Sequence, residues 1–420
     1  MQNFECILKQ IIFLVNHLRP CTCLVGSPWR LFAVLLLFLS ASTLSWGASP
    51  SLTTLPFRLS GSHIFIDVRV NDSEPMHFIF DTGAASTVIN QRQAKRLRLS
   101  SDGFTPVRGR KGPSLAYYSR NSRMRMGGML LEKVRVVHLP LDHIQRALGK
   151  NVDGIIGQDL LKHYVVQINY DTQTITLYDS QKFTPPAGYH ARPFEIISGR
   201  PYIEGVLTLD DGHTLSGRFQ VDNGSGASIT LYSPTVEKHQ LANKIGRTRT
   251  VYTMGFTGIV DRNDAGRLKN FDLGWCQLTN VPIRLNRSAY FKKAFHDGIG
   301  HIGNALLKRF NIVFDYHNKV SYWQPNYSFA EEFAAAYSGL VLKTDRTEER
   351  VIIRHVFTDS PAARAGFTKD DEIVMVDDVR TAGRPRNEIN SLLTQSENPV
   401  QVVVRRDDHF KTLRLQPVGL

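Results

Sequence analysis

Apolar and polar residues alternate with a period of two over much of the chain, and the alternation comes twice in one arrangement. IFIDVRVN (64–71) is followed by DSEP and then MHFIFDTGAASTVIN (76–90). PYIEGVLTL (201–209) is followed by DDGH and then GRFQVDNGSGASITL (217–231). A period of two puts alternate side chains on opposite faces of a strand, and breaks rich in Asp, Gly and Pro are turn chemistry. Each copy therefore predicts a strand, a tight turn and a second strand that runs out into Asp-x-Gly, at Asp81 and at Asp222.

The copies also end alike. IGQDLLKHYVVQINY (156–170) matches IGNALLKRFNIVFDY (302–316), and each is followed by a strand-like run, TITLY (174–178) and KVSYW (319–323). Between these anchors lie LLEKVRVVHL (130–139) and CQLTNVPIRL (276–285), which also read as strands. Helical spacing is confined to short stretches near QDLLKH and NALLKR. A unit of roughly 140 residues is too long for a solenoid repeat and predicts a duplicated β domain. Two such lobes about a pseudo-twofold axis would bring the two Asp-x-Gly turns face to face. After a joint near 324–336, residues 340–407 read as strand, strand, short helix, strand, helix, strand, a small third domain.

The predicted division is a leader at 1–47, a first lobe at 48–187, a second at 188–328 and a terminal domain at 329–420. The leader contains LFAVLLLFLSASTLSW (31–46), sixteen uncharged residues after Arg30 with small residues following. That is the make-up of a secretory signal, with an uncleaved anchor as the alternative. An exported protein, periplasmic or held at the membrane through the leader, is the expectation. Cys6, Cys21 and Cys23 lie in the leader and only Cys276 beyond it, so no internal disulfide is expected in the mature chain.

The formal net charge is +13. Ten basic residues and one acid, Asp102, lie between Arg92 and Arg125. The plain reading is a solvated basic face; the sharper one is attraction to an acidic substrate or an anionic membrane surface. Few aromatics interleave with it, so nucleic acid is not expected. The histidines show no metal-ligand spacing, and no metal or cofactor is expected.

Two aspartates at the ends of facing strands, among small residues, suit one kind of chemistry. Close carboxylates cannot both ionise cheaply, so one keeps a proton and the pair titrates as a unit. The ionised member can take a proton from water while the other polarises a carbonyl. Gly83 permits close approach of the partner lobe, and the Thr82 hydroxyl can bond across the junction.

Phe80-Asp81-Thr82-Gly83-Ala84-Ala85-Ser86, with Ile155-Ile156-Gly157, resembles the retropepsin-like lobe of pepsin-type aspartic peptidases. The resemblance implies a mainly β fold of two pseudo-symmetric retropepsin-like lobes, with Asp81 and Asp222 catalytic. Thr82, Gly83, Asn223, Gly224, Ser86, Gly157 and Gly303 would support the pair, and Tyr117 or Tyr118 would belong to a flap. His301-Ile302-Gly303 is the second copy's support element, with His where an apolar residue is usual. Asn223 departs from the family's Thr, and Asp-Asn-Gly is also a plain turn sequence, so a structural turn at Asp222 stays open. Thr253–Gly258 would correspond to the flap in the second copy. Ser360–Gly366 and the Asp-Glu-Ile-Val that follows resemble a PDZ domain, a small β/α module, of the kind found in bacterial exported proteases. That implies a carboxylate-binding loop at Ser338, Gly339, Leu340 and Val341, a groove helix carrying Ile389–Leu393, and capture of a peptide C-terminus. Asp370 stands where such domains often have Gly. The reading is an aspartic endopeptidase acting on proteins or peptides, with a PDZ domain for recruitment or regulation. The alternative is a catalytically weak peptide-binding protein.

Overall fold

The computed structural model describes residues 49–109, 112–254, 260–287, 298–333, 336–345, 350–384, 386–395 and 397–419. The chain divides into two units, 1–48 and 49–420. The leader, including the expected signal or anchor, lies outside the described residues, as do 255–258 of the second flap-like region. Among the described residues no helix is long and apolar enough to cross a membrane.

The protein is mainly β, and the alternation read from the sequence is the alternation of burial. His63–Val70 points Ile64, Ile66, Val68 and Val70 inward and Asp67 and Arg69 outward. One eight-stranded sheet runs Arg58–Ser60, His63–Val70, Met76–Phe80, Gly154–Ile156, Val88–Asn90, Met129–Leu139, Gly112–Met126, Gly103–Gly109. A second runs Glu195–Ile197, Arg200–Thr208, Thr214–Asp222, Gly300–Gly303, Ile229–Leu231, Gln277–Asn286, Val260–Asp272, Arg249–Met254. Position by position the two orders correspond. Each Asp-bearing strand pairs in parallel with its downstream Gly element, Phe80 opposite Ile156 and Asp222 opposite Gly303. Parallel neighbours cannot be joined by a tight turn, so these pairings tie distant parts of each copy together.

A third sheet of six strands takes three from each copy: Ser51–Pro56, Thr174–Tyr178, Val165–Asn169, then Phe310–Asp315, Val320–Pro325, His190–Pro193. Its centre is the antiparallel register of Val165–Ile168 with Asp315–Ile312. Much of the core is one continuous cluster that includes Phe78, Phe80, Phe219, Phe271, Phe310 and Trp323, all fully buried. Each such ring contributes about 1.5–3 kcal/mol by leaving water. The short helices at Gln158–Leu161 and Asn304–Leu307 sit where helical spacing was read. Gln91–Arg96, Asp142–Leu148 and Ser233–Lys238 are additional helices.

The C-terminal module has its own core and a sheet ordered Leu340–Asp345, Arg350–Val356, Glu372–Val376, Val400–Arg406, His409–Leu415. Its first helix, Pro361–Arg364, starts on Ser360, whose Oγ accepts the Ala363 N–H at 3.1 Å, with Pro361 in the first turn. Asp370 takes φ +68°, the left-handed conformation that suits Gly and that Asp tolerates.

Candidate active site

Asp81 leaves its strand with its backbone N–H on the Ile156 carbonyl at 3.1 Å. The turn then folds back on the side chain: Gly83 N–H and Ala84 N–H donate to Asp81 Oδ1 at 2.7 and 3.1 Å. Ser86 gives no bond to the carboxyl; its backbone instead lies where a Cβ on Gly157 would stand, 2.5 Å from it. Main-chain N–H groups, not the Ser86 hydroxyl, are the donors to Asp81 Oδ1. Gly303 is packed the same way against Ser225 and Ala227.

The two carboxyls lie close enough for each to act on the other's titration. The turns approach reciprocally. A Cβ on Gly83 would lie 2.5 Å from Asp222 Oδ1, and one on Gly224 would lie 2.5 Å from Asp81 Oδ1. Both aspartates are half-buried, so the carboxyls are hemmed in by protein yet reachable by water. Burial raises the pKa of Asp81, with the Gly83 and Ala84 N–H groups pulling against it. Burial raises Asp222 further above the ordinary range, because repulsion from Asp81 adds to it. The shared proton therefore belongs on Asp222 and the negative charge on Asp81.

Below the carboxyls, Thr82 and Asn223 are fully buried and interlocked. Asn223 N–H donates to Thr82 Oγ1 at 3.1 Å, and Thr82 Oγ1 lies 2.8 Å from Asn223 Oδ1 and 2.9 Å from the Val221 carbonyl. The longer Asn amide also reaches beyond a hydroxyl's range. Its Nδ2 donates to Tyr170 OH at 2.8 Å and to Asn304 Oδ1 at 2.9 Å. Tyr170 OH also donates to Asn304 Oδ1. The other copy repeats the theme: Gln158 Nε2 donates to the Thr82 carbonyl at 3.0 Å and to Tyr316 OH at 2.9 Å. Each support helix is thus bonded to a tyrosine from the opposite copy.

Two basic residues complete the site, and neither was singled out in the sequence. Arg200 Nε donates to the Gly83 carbonyl at 2.8 Å, and its charge pulls both aspartate pKa values down. His63, one residue before Ile64 as Arg200 is one before Pro201, lies at the second copy's turn by Gly224 and Gly226, and burial lowers its pKa. So each copy sends one basic side chain to the other's turn. The repeat carries a tell-tale, since His63 and Arg200 open matching strands.

Tyr118 is buried in the apolar cluster that includes its strand partner Val137, and its hydroxyl accepts from Arg120 at 2.7 Å. Tyr117 is exposed and packs on Phe104 with ring centroids 4.5 Å apart. Both sit on the hairpin Gly103–Gly109/Gly112–Met126, away from hydrogen-bonding contact with the aspartates.

In the C-terminal module, Gly339 has φ +83°, and a Cβ there would collide with Ser360. Ser338 is buried, its Oγ accepting the Leu340 N–H at 3.2 Å. Leu340 and Val341 begin the edge strand of the sheet, which pairs with one neighbouring strand only. Ile389 and Leu393 are fully buried in the module's core. Arg386 at the head of their helix instead reaches the edge strand, donating to the Leu342 carbonyl at 3.2 Å.

Residues 66–160 match the family model described as aspartyl protease, and residues 338–416 match that of the PDZ domain. The first match spans Asp81 and Gly157 and ends before Asp222. No curated protein matches the chain. The chain therefore carries an aspartyl protease domain and a PDZ domain, a module that binds peptides or proteins.

Proposed function

We propose that the protein is an aspartic endopeptidase in which Asp81 and Asp222 act as one catalytic pair from two pseudo-symmetric lobes. The observation that carries this reading is the reciprocal approach of the two turns, which sets each glycine, Gly83 and Gly224, against the other turn's carboxyl, with Asp81 alone accepting both Gly83 and Ala84 N–H groups. Asp81 takes a proton from a water held between the carboxyls while the water oxygen attacks the peptide carbonyl carbon. Asp222 gives its proton to the carbonyl oxygen, producing a neutral gem-diol. On breakdown, Asp81 delivers its proton to the leaving nitrogen, the C–N bond breaks and Asp222 recovers a proton from a diol hydroxyl. This route uses no cofactor.

Arg200 and the Thr82–Asn223 interlock act as positioning groups for this chemistry. The PDZ domain would tether a protein substrate or regulate access, taking a C-terminal peptide along Leu340–Asp345. The apolar stretch at 31–46 supports export, with the catalytic part outside the cytoplasm. The test is incubation of the purified protein with a mixed peptide library from acid to neutral pH, beside Asp81→Asn. The proposal expects cuts with the wild type and none with the variant; identical, uncut peptides in both would defeat it.

A further inference from the structure

The face that carries the aspartates differs between the two sheets. Two residues before Asp81 on the same face is Ile79, and the register runs straight across from it. Phe65, Ile79, Ile155, Val88, Val137 and Tyr118 pair in turn, a continuous apolar row. Two residues before Asp222 is Gln220. The corresponding row is Tyr202, Gln220, His301, Thr230 and Arg284. Parity supports this placement: Phe219, Val221, Ile229, Leu231, Ile283, Leu285 and Ile302 all face the core on the other side. The row does face the site, since Gln220 Nε2 reaches the Gly83 carbonyl at 3.4 Å and Ser225 Oγ bonds His301 Nε2 at 2.9 Å.

Arg284 is the anomaly in this row. It makes no hydrogen bond or ion pair among the described residues, and no acid acts on it. Burial lowers even its pKa, yet the residue is only half-buried and its nitrogens are not sealed from solvent. Its neighbour His301 is held neutral, with a pKa near 3, by burial and by the Arg284 charge. A hemmed-in, uncompensated guanidinium is costly to maintain unless something else completes it. The planar fork of Arg suits a carboxylate.

We infer that Arg284 is a substrate subsite for a peptide carboxylate, beside the aspartate pair on the second sheet. The inference rests on the peptidase reading and adds to it a substrate class. Three strand spacings separate Gln220 from Arg284, roughly 14 Å, and an extended peptide advances about 3.4 Å per residue. The carboxylate therefore lies about two to four residues from the bond that is cut. Its source is an Asp or Glu side chain, or the peptide's own C-terminus.

The test uses matched peptides around one cleaved bond, with Glu or Gln stepped through the four positions on each side, and with a free or amidated C-terminus. The ratio of kcat/KM for carboxylate over amide is read for wild type, Arg284→Gln and Arg284→Glu. The expected result is a ratio of at least ten at one position, or at the terminus, falling to about one in Arg284→Gln. Arg284→Glu should favour Lys there. Because each variant is compared with itself, partial loss of folded protein cancels. A ratio near one throughout the wild type, or one that Arg284→Gln leaves untouched, overturns the inference. Binding of fluorescein-labelled forms to the full-length Asp81→Asn protein gives the same ratio without turnover. No cleavage with the binding ratio intact would sink the peptidase reading alone; cleavage with equal binding and equal rates would sink the subsite alone.

Discussion

Thr82 and Asn223 hold each other in both directions across the two sheets, backbone N–H to hydroxyl at 3.1 Å and hydroxyl to amide oxygen at 2.8 Å. Asn223 also satisfies Tyr170 and Asn304, groups that a threonine at that position would not reach. Asn223→Ala should therefore cost about 2–3 kcal/mol by stranding buried polar groups. Asn223→Thr, although closer to the usual family sequence, should still cost about 1 kcal/mol or more. Urea denaturation midpoints measure both; a Thr variant as stable as wild type would show that the extra amide bonds contribute nothing.

Gly83 is required by contact. A Cβ there would lie 2.5 and 2.8 Å from the Asp222 carboxylate oxygens. Gly83→Ala should push the carboxyls apart by about 1 Å and lower kcat on the order of a hundredfold. Circular dichroism should show the fold retained, which separates lost geometry from lost structure.

Arg200 should set the pH range of activity. A cation favours ionised carboxylates, so it lowers both pKa values of the pair. Of the other titratable groups near the pair, burial lowers the pKa of His63 and His301 and raises that of Tyr232, which in each case favours the neutral form. Arg200→Gln should move both limbs of the bell-shaped kcat/KM profile to higher pH, and Arg200→Lys should move them less. An unmoved profile would reduce Arg200 to a structural tie on Gly83.

Asp222 should destabilise the fold at neutral pH. Its folded pKa is raised, so the native state holds its proton more tightly than the unfolded chain does. The stability this contributes is present below the unfolded carboxylate pKa, about 4, and is lost as pH rises through the folded value. Asp222→Asn should raise Tm at neutral pH, with the gap closing as pH falls through the folded value and gone below about 4. Scanning calorimetry at several pH values checks the sign.

Gly339→Ala should disable the PDZ module, since the residue has φ +83° and no room beside Ser360. The expected cost is about 1–3 kcal/mol of stability together with loss of C-terminal peptide binding, read by fluorescence anisotropy. Peptide binding at the wild-type level would move the recognition site elsewhere.

Much of this was legible from local pattern. Period-two alternation located the strands, and the repeated Asp-x-Gly and Ile-Gly elements located Asp81, Asp222, Gly157 and Gly303. The supports were not legible in the same way. Gln158, Tyr170, Asn304 and Tyr316 meet only because the six-stranded sheet crosses the two copies, a pairing between strands far apart in sequence. Arg200 and Arg284 lie in ordinary strands, and their positions depend on register across several strands. The helix Asp142–Leu148 is too short to show a strong apolar period.

The central claim is that Asp81 and Asp222, one from each copy, do one job together. Its most direct test is kcat/KM on a single cleaved peptide for wild type, Asp81→Asn and Asp222→Asn, with folding verified for each. The account predicts that each substitution alone lowers the value on the order of a thousandfold or more. If Asp222→Asn kept a tenth of wild-type activity, the second carboxyl would be a turn residue and the pairing would have no catalytic meaning.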